Sequence, residues 1–204
     1  MVITEVEPLS RTRYKVYIDG KFAFVLYKGD LARYHLARGC EIPEETCRQI
    51  RREVVLKRAK MRALHLLNDM GRTEAQLRAK LRQNHYTEEV IEETLAYVKS
   101  FGYVNDGAYA RNFIETRKGQ KSRREIYARL CEKGISRDEI EAAMEECYSR
   151  EDSRDAIREL LREKGWNPEG MDEKERRKIL GFLTRKGFSY EDIRQVIQVS
   201  EWNA

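Results

Sequence analysis

Along the first thirty residues apolar and polar positions alternate with the period of a β-strand, with Tyr14, Val16 and Ile18 before Asp19-Gly20 and Phe22, Phe24 and Leu26 after it. Asp-Gly is a strong hairpin signal because both central positions of a type I′ turn need positive φ. Val2, Ile3 and Val6 predict a third strand, without which a hairpin is only marginally stable. From Asp30 the period lengthens to that of a helix, first over Leu31 to Leu36 and then, after Pro43, through Ile50, Val54 and Val55. A small antiparallel β-hairpin or sheet followed by helices is expected.

Beyond Arg58 one short pattern occurs three times, with apolar, apolar, hydroxyl and apolar residues at constant offsets. The copies are Leu81, Tyr86, Thr87, Ile91; Leu130, Ile135, Ser136, Ile140; and Leu183, Phe188, Ser189, Ile193. A period of about fifty residues signals repeat modules. Each copy reads as a helix end, a tight corner and a new helix capped by the hydroxyl. Gly134 and Gly187 supply the left-handed terminus, and Asn84 stands close to that place in the first copy. Ser136 with Glu139 predicts a capping box, Ser189 with Asp192 a weaker one, and Thr87 a hydroxyl cap alone.

Upstream of each corner a helix begins at Thr73 with Gln76, at Ser122 with Glu125, and at Asp172 with Glu175. A preceding helix carries Leu64 and Leu67, Phe113 and Ile114, or Ile157 and Leu160. The chain is therefore expected to be mainly α, with three tandem three-helix modules whose helices run to roughly 11 to 15 residues. The expected segments are an N-terminal part over 1–56 and modules over 57–105, 106–151 and 152–204. The third carries extra loop residues from Gly165 to Gly170, including Trp166 and Pro168. Modules this small bury faces against their neighbours, which predicts an elongated, curved chain.

Composition fits thin helical layers: 41% of the 204 residues are hydrophobic and 37% charged. Only Pro8, Pro43 and Pro168 interrupt helix formation. Cys40, Cys47, Cys131 and Cys147 match no disulfide scaffold or zinc finger and read as reduced thiols. No apolar run approaches a membrane span and no leader pattern opens the chain, so a cytoplasmic protein without membrane contact is expected.

No phosphate-binding glycine loop, HExxH or GxSxG is present, and His35, His65 and His85 are scattered, so no catalytic residue, metal or cofactor is expected. The formal charge of +5 is modest, but its distribution is informative. Lys57, Arg58, Lys60, Arg62, Arg72, Arg78, Lys80 and Arg82 form one basic stretch, and Arg117, Lys118, Lys121, Arg123 and Arg124 another. The third helices instead open with Glu88 and Glu89, Asp138 and Glu139, or Glu191 and Asp192. Those carboxylates suit a helix N-terminus but would repel phosphate, which argues against a last helix that reads the major groove. The basic stretches, Lys60 aside, are the candidate partner- or DNA-binding residues, against the simpler reading of solvated helix faces. Tyr97, Phe101, Tyr103, Tyr109 and Phe113 are expected to pack as core where the first module meets the second, and Trp166 to pack as well.

Gly102-Tyr103-Val104-Asn105-Asp106 followed by Tyr109-Ala110 and Phe113 resembles the first module junction of RecX proteins. Lys133-Gly134-Ile135 and Phe182-Leu183-Thr184-Arg185-Lys186-Gly187-Phe188-Ser189 are similar to that family's later corners, and Leu77 with Lys80-Leu81 to its first. The resemblance runs from about Arg58 to Val199, with Asn105 where an acid is common and Gln76 in place of the usual Glu. It implies a non-enzymatic negative regulator of RecA, bound in the groove of the RecA–single-stranded DNA filament. Filament extension, ATP hydrolysis, strand exchange and SOS coprotease activity would be inhibited, in the setting of recombination and DNA repair. A monomer that binds single-stranded DNA weakly and without sequence preference is expected. The alternative is a free-standing, sequence-nonspecific nucleic-acid-binding protein.

Overall fold

The computed structural model describes residues 1–167 and 170–202, with side chains through Gln198; Pro168, expected in the third module's loop, lies outside them. By its internal contacts the chain forms two units, Met1–Asn105 and Asp106–Ala204.

The first unit opens with β1 (Ile3–Pro8), β2 (Arg13–Ile18) and β3 (Lys21–Tyr27) in an antiparallel sheet of that order. Val16 pairs with Val6 on one side and Phe24 on the other, so the alternating apolar positions share a face. Asp19 and Gly20 have φ of 48° and 78°, as the two central positions of a type I′ turn require. The free edge of β1 is covered by the loop after α1 (Lys28–Arg33), with Ile3 N–H donating to the Cys40 carbonyl at 2.9 Å and Gly39 N–H to the Ile3 carbonyl at 2.8 Å.

Helical backbone then runs without a break through α2 (Glu44–Ile50), a π-helical turn (Arg51–Leu56) and α3 (Lys57–Asp69), so residue 57 lies inside a helix. Three consecutive side chains of the π turn, Val54, Val55 and Leu56, are buried. They join the sheet's Val16, Phe24 and Leu26, and Val90 from α5 (Glu88–Ser100), in one cluster. The same long helix continues into a second cluster through Ala63 and Leu66, packed with Leu77 and Leu81 of α4 (Glu74–Gln83) and Ile91 and Leu95 of α5. The N-terminal segment and first module therefore share a helix and a core.

The second unit holds α6 (Asp106–Glu115), α7 (Arg123–Glu132) and α8 (Arg137–Cys147), then α9 (Arg150–Glu163), α10 (Glu173–Arg185) and α11 (Tyr190–Trp202). Several helices are shorter than expected, α4, α6 and α7 having 10 residues each. Each trio has its own core, around Ile126, Leu130, Ile140 and Met144 or around Ile157, Leu161, Leu183 and Ile193.

All three corners have the same hydrogen bonding. Tyr86, Ile135 and Phe188 donate their N–H groups back to the carbonyls of Leu81, Leu130 and Leu183, while His85, Gly134 and Gly187 donate to those of Arg82, Cys131 and Thr184. This is the Schellman termination, in which the residue after the helix cap takes a left-handed backbone. In the first corner that residue is His85, φ 64°, and not Asn84, whose φ is −88°. Asn84 closes the helix differently, its side-chain amide donating to the Lys80 carbonyl at 2.8 Å.

The caps also differ in detail from expectation. Thr73 with Gln76 and Asp172 with Glu175 make reciprocal boxes. Ser136 and Ser189 accept from the N–H groups of Glu139 and Asp192, but those carboxylates accept from the serine hydroxyls instead of reaching back to the backbone. Thr87 has the extended backbone of a cap residue yet its hydroxyl accepts no capping bond; the acidic first turn, Glu88 and Glu89, complements that helix end instead.

Within the second unit Ser122 joins the two trios. Its buried hydroxyl accepts from Glu125 N–H and donates to the Lys186 carbonyl at 2.6 Å. Gly187, φ 89°, lies so close that a Cβ there would sit 3.0 Å from Arg124 Cβ and 3.1 Å from Ser122 Oγ. Gly187→Ala should therefore cost about 2 kcal/mol, combining a left-handed backbone with a close contact. Gly119→Ala, with open space around it, should stay within about 0.5 kcal/mol of the parent. Urea denaturation followed by circular dichroism compares them, and equal effects would remove Gly187 from this joint.

Candidate functional site

The two basic stretches expected to contact a partner divide by whether the fold already neutralises them. Arg78 sits among carboxylates of its own helix and the next: Nη2 donates to Glu74 at 2.8 Å, and Nη1 pairs with Glu92 of α5. Arg82 forms a two-pronged pair with Glu88 at 2.6 and 2.7 Å. Hydrogen bonding to Glu92 first, then to Glu74, raises the Arg78 pKa, and Glu88 does the same for Arg82. The acidic opening of the third helix is thus spent on the basic second helix across the corner.

Other candidates are held as well. Arg58 donates Nη2 to Asp30 Oδ1 at 3.0 Å and lies over the Tyr27 ring, 4.7 Å from its centroid. Burial would raise the Asp30 carboxyl, but hydrogen bonds from Arg58 and from Tyr27 N–H outweigh it and hold the pKa below its ordinary value. Arg72 caps the end of α3 by donating to the Leu66 carbonyl at 3.1 Å. Lys80 bonds Gln83, and Lys121 pairs with Glu125 at 3.3 Å. Lys118 pairs with Glu115 at 3.0 Å and Asp152 at 3.7 Å, and Arg117 lies over the Phe113 ring at 3.8 Å.

Among the described residues seven candidates make no ion pair; Arg72, Lys80 and Arg117 are held by a hydrogen bond or a ring, which leaves Lys57 and Arg62 in the first unit and Arg123 and Arg124 in the second. Lys57, Arg123 and Arg124 are exposed. Arg62 is half-buried, and its Nε is enclosed without a hydrogen-bond partner. Arg123 and Arg124 line a hollow of about 560 Å³ with Tyr127, Tyr148 and Arg150 and with the carboxylates of Glu191 and Asp192; Tyr148 donates its hydroxyl to the Lys121 carbonyl at 3.0 Å. Burial pushes that phenol up to about 12.

Sequence reasoning missed the carboxylates that take up Arg78 and Arg82. The Glu74–Arg78 and Lys121–Glu125 pairs were visible as i, i+4 spacings. The Arg78–Glu92 pair needs the corner geometry. Of the aromatic residues expected to pack as core, Phe113 is buried and Tyr97 and Tyr109 pack against the cores of their own units, but Phe101 and Tyr103 do not. Phe101 and Tyr103 are 58% and 56% exposed, stacked on each other at 5.7 Å, because Gly102 ends α5 and turns both rings out of the core that Val98 and Val104 fill. Tyr97 makes an edge contact with Phe101, while Tyr109 and Phe113 stack within the second unit. Trp166 does pack against its module's core. Among the described residues no three metal-ligating side chains converge, and no helix is long and apolar enough to cross a membrane.

Two consequences can be measured. Arg78→Gln should lower stability by about 1 kcal/mol, since it breaks a part-buried ion network, whereas Arg123→Glu should change it by less than about 0.5 kcal/mol. Chemical denaturation ranks the two, and the reverse order would contradict the division between structural and free cations. Because the Asp30 pKa is depressed on folding, its contribution is present above the unfolded value and lost as pH falls through the folded one. Asp30→Asn should therefore flatten the loss of thermal stability on acidification below about pH 4. An unchanged slope would exclude that linkage.

Comparison with known proteins places these features. The RecX first three-helix domain matches residues 59–97, the second matches 105–144 and the third matches 151–197. Regulatory protein RecX of Caldanaerobacter subterraneus subsp. tengcongensis is 30% identical over 98% of this chain and 100% of its own length. That of Clostridioides difficile is 30% identical over 96% of this chain and 94% of its own. A crystal structure of regulatory protein RecX superposes with a TM-score of 0.63 at 26% identity, covering 97% of this chain and 98% of the other. RecX from Lactobacillus salivarius gives 0.61 at 25% identity, over 72% of this chain and 97% of the other. With its three domains matched in order and its length spanned by relatives of that name, the chain belongs to the RecX family of regulatory proteins.

Proposed function

We propose that this chain is a negative regulator of the RecA recombinase, acting in the cytoplasm as a monomer without a cofactor. It binds in the groove of the RecA–single-stranded DNA filament and inhibits extension, and with it ATP hydrolysis, strand exchange and SOS coprotease activity. The observation that carries this reading is the ordered run of three RecX three-helix domains across residues 59–197. The cations that the fold leaves unpaired, Arg123 and Arg124 foremost, face phosphates or acidic recombinase surface. Modules that touch successive subunits add their weak contacts through high effective concentration.

RecA-catalysed ATP hydrolysis on single-stranded DNA tests the reading, with the protein added well below one per recombinase and a control for competition on bare DNA. Inhibition at that ratio is expected, and the Arg123→Glu/Arg124→Glu variant should need about tenfold more protein for the same effect. No inhibition of a cognate recombinase at excess protein would overturn the reading. Inhibition only at concentrations that coat the DNA would favour a free-standing nucleic-acid-binding protein.

A further inference from the structure

The first unit contains an open cleft of about 660 Å³ between the sheet and α3, reaching the first corner. Arg13 of β2 and Tyr27 of β3 form one wall, Arg58, Met61, Arg62 and His65 of α3 another, and Tyr86 of the corner closes one side. The α3 residues recur at steps of three and four, so they occupy one face of the helix along the cleft. Its lining contains three guanidiniums, an imidazole and no carboxylate. Elsewhere arginines such as Arg78, Arg82 and Arg158 are matched with glutamates or aspartates. Here Arg58 is matched by Asp30, outside the lining, while Arg13 and Arg62 make no ion pair among the described residues. Arg62 Nε is enclosed and lacks an acceptor. A buried donor without a partner carries a desolvation cost that an incoming acceptor would remove.

The cleft also presents exposed flat and polarizable side chains. Tyr27 is 43% exposed and Met61 63%. A second hollow shares Met61 and His65 with the cleft and reaches Tyr103, whose ring stacks with Phe101. Cations in a groove flanked by solvent-facing aromatic rings are what an unstacked nucleic-acid strand requires: the cations follow its phosphates and the rings take its bases. An acidic peptide would use the arginines but gain little from the rings. A duplex, its bases already stacked, would gain only the phosphate contacts.

We infer that this cleft, made jointly by the N-terminal sheet and α3, is a binding site for single-stranded nucleic acid, with Arg13 and Arg62 on the phosphates and Tyr27 and the Tyr103–Phe101 pair beneath bases. The inference deepens the filament-regulator reading and rests on it for the strand's identity as the DNA that the recombinase coats. It gives the sheet, which lies outside the three family domains, a share in binding.

The test uses the whole chain and a fluorescently labelled oligo-dT, without recombinase, and follows anisotropy as salt is raised. Single-stranded DNA should bind more tightly than a duplex of equal length. Arg62→Gln should lower the slope of log affinity against log salt by about one phosphate contact. Met61→Glu, at an exposed position where folding is undemanding, should weaken binding about tenfold by placing a carboxylate beside the strand. Oligonucleotides bearing 5-iodouracil should photocrosslink to Tyr27 or Tyr103. Binding unchanged by both substitutions, no binding of the parent at low salt, or equal affinity for duplex would overturn the inference. So would variants that lose binding to a polyglutamate peptide and keep it for oligo-dT, which would make the cleft an acidic-peptide site. Because recombinase ATP hydrolysis is read separately, inhibition with an inert cleft sinks only this inference, and strand binding without inhibition sinks only the regulator reading.

Discussion

At each corner of the three modules, a leucine that is wholly out of water, Leu81, Leu130 or Leu183, sits four residues before a left-handed backbone position and ten before an equally enclosed isoleucine. The left-handed residue reverses the chain, and the apolar residue after it bonds back to the leucine carbonyl. That residue also precedes the next helix cap, where it can staple onto the isoleucine in the second turn. Core packing and chain reversal are therefore one event. Removing the left-handed residue would misdirect the following helix and with it the isoleucine on which the small core closes.

The corner also determines which charges are available to a partner. It brings the basic second helix beside the acidic start of the third, so Arg78 and Arg82 meet Glu92 and Glu88. These are mostly half-exposed pairs of modest individual worth, but together they neutralise the last two arginines of a stretch that looks in sequence like a nucleic-acid footprint. Among the described residues the candidate cations left without a partner are Lys57, Arg62, Arg123 and Arg124; Arg123 and Arg124 line one hollow at the start of α7, and Arg62 lies with Arg13 in the cleft beneath the sheet. Binding is better sought there than in the total charge of +5.

Much of the fold was legible because its signals are local. The Asp19-Gly20 turn, the leucine–apolar–hydroxyl–isoleucine offsets and the caps at Thr73, Ser122 and Asp172 each involve residues no more than ten apart in the chain. What was not legible depends on choices between neighbours or on distant segments. His85 and Asn84 both tolerate a left-handed backbone, and the repeat offset from Leu81, which selects His85, was the available signal. Thr87 has the right residue type and backbone for a cap, yet its hydroxyl is unused. The helical run from Pro43 through Val55 was legible in its period, but its π turn was not, because Val54, Val55 and Leu56 serve a core shared by the sheet and α5. The exposed Phe101–Tyr103 stack and the Arg13–Arg62 cleft arise from tertiary placement, which hydrophobicity alone would have misassigned to the interior.

The central claim is that paired arginines hold the modules together while unpaired ones meet the partner. Cosedimentation of the whole chain with preassembled RecA filaments on single-stranded DNA tests this most directly, comparing Arg78→Gln/Arg82→Gln with Arg123→Glu/Arg124→Glu at a temperature where both remain folded. The account predicts that the first variant stays with the filament and the second is left in the supernatant. Loss of the first with retention of the second would contradict it.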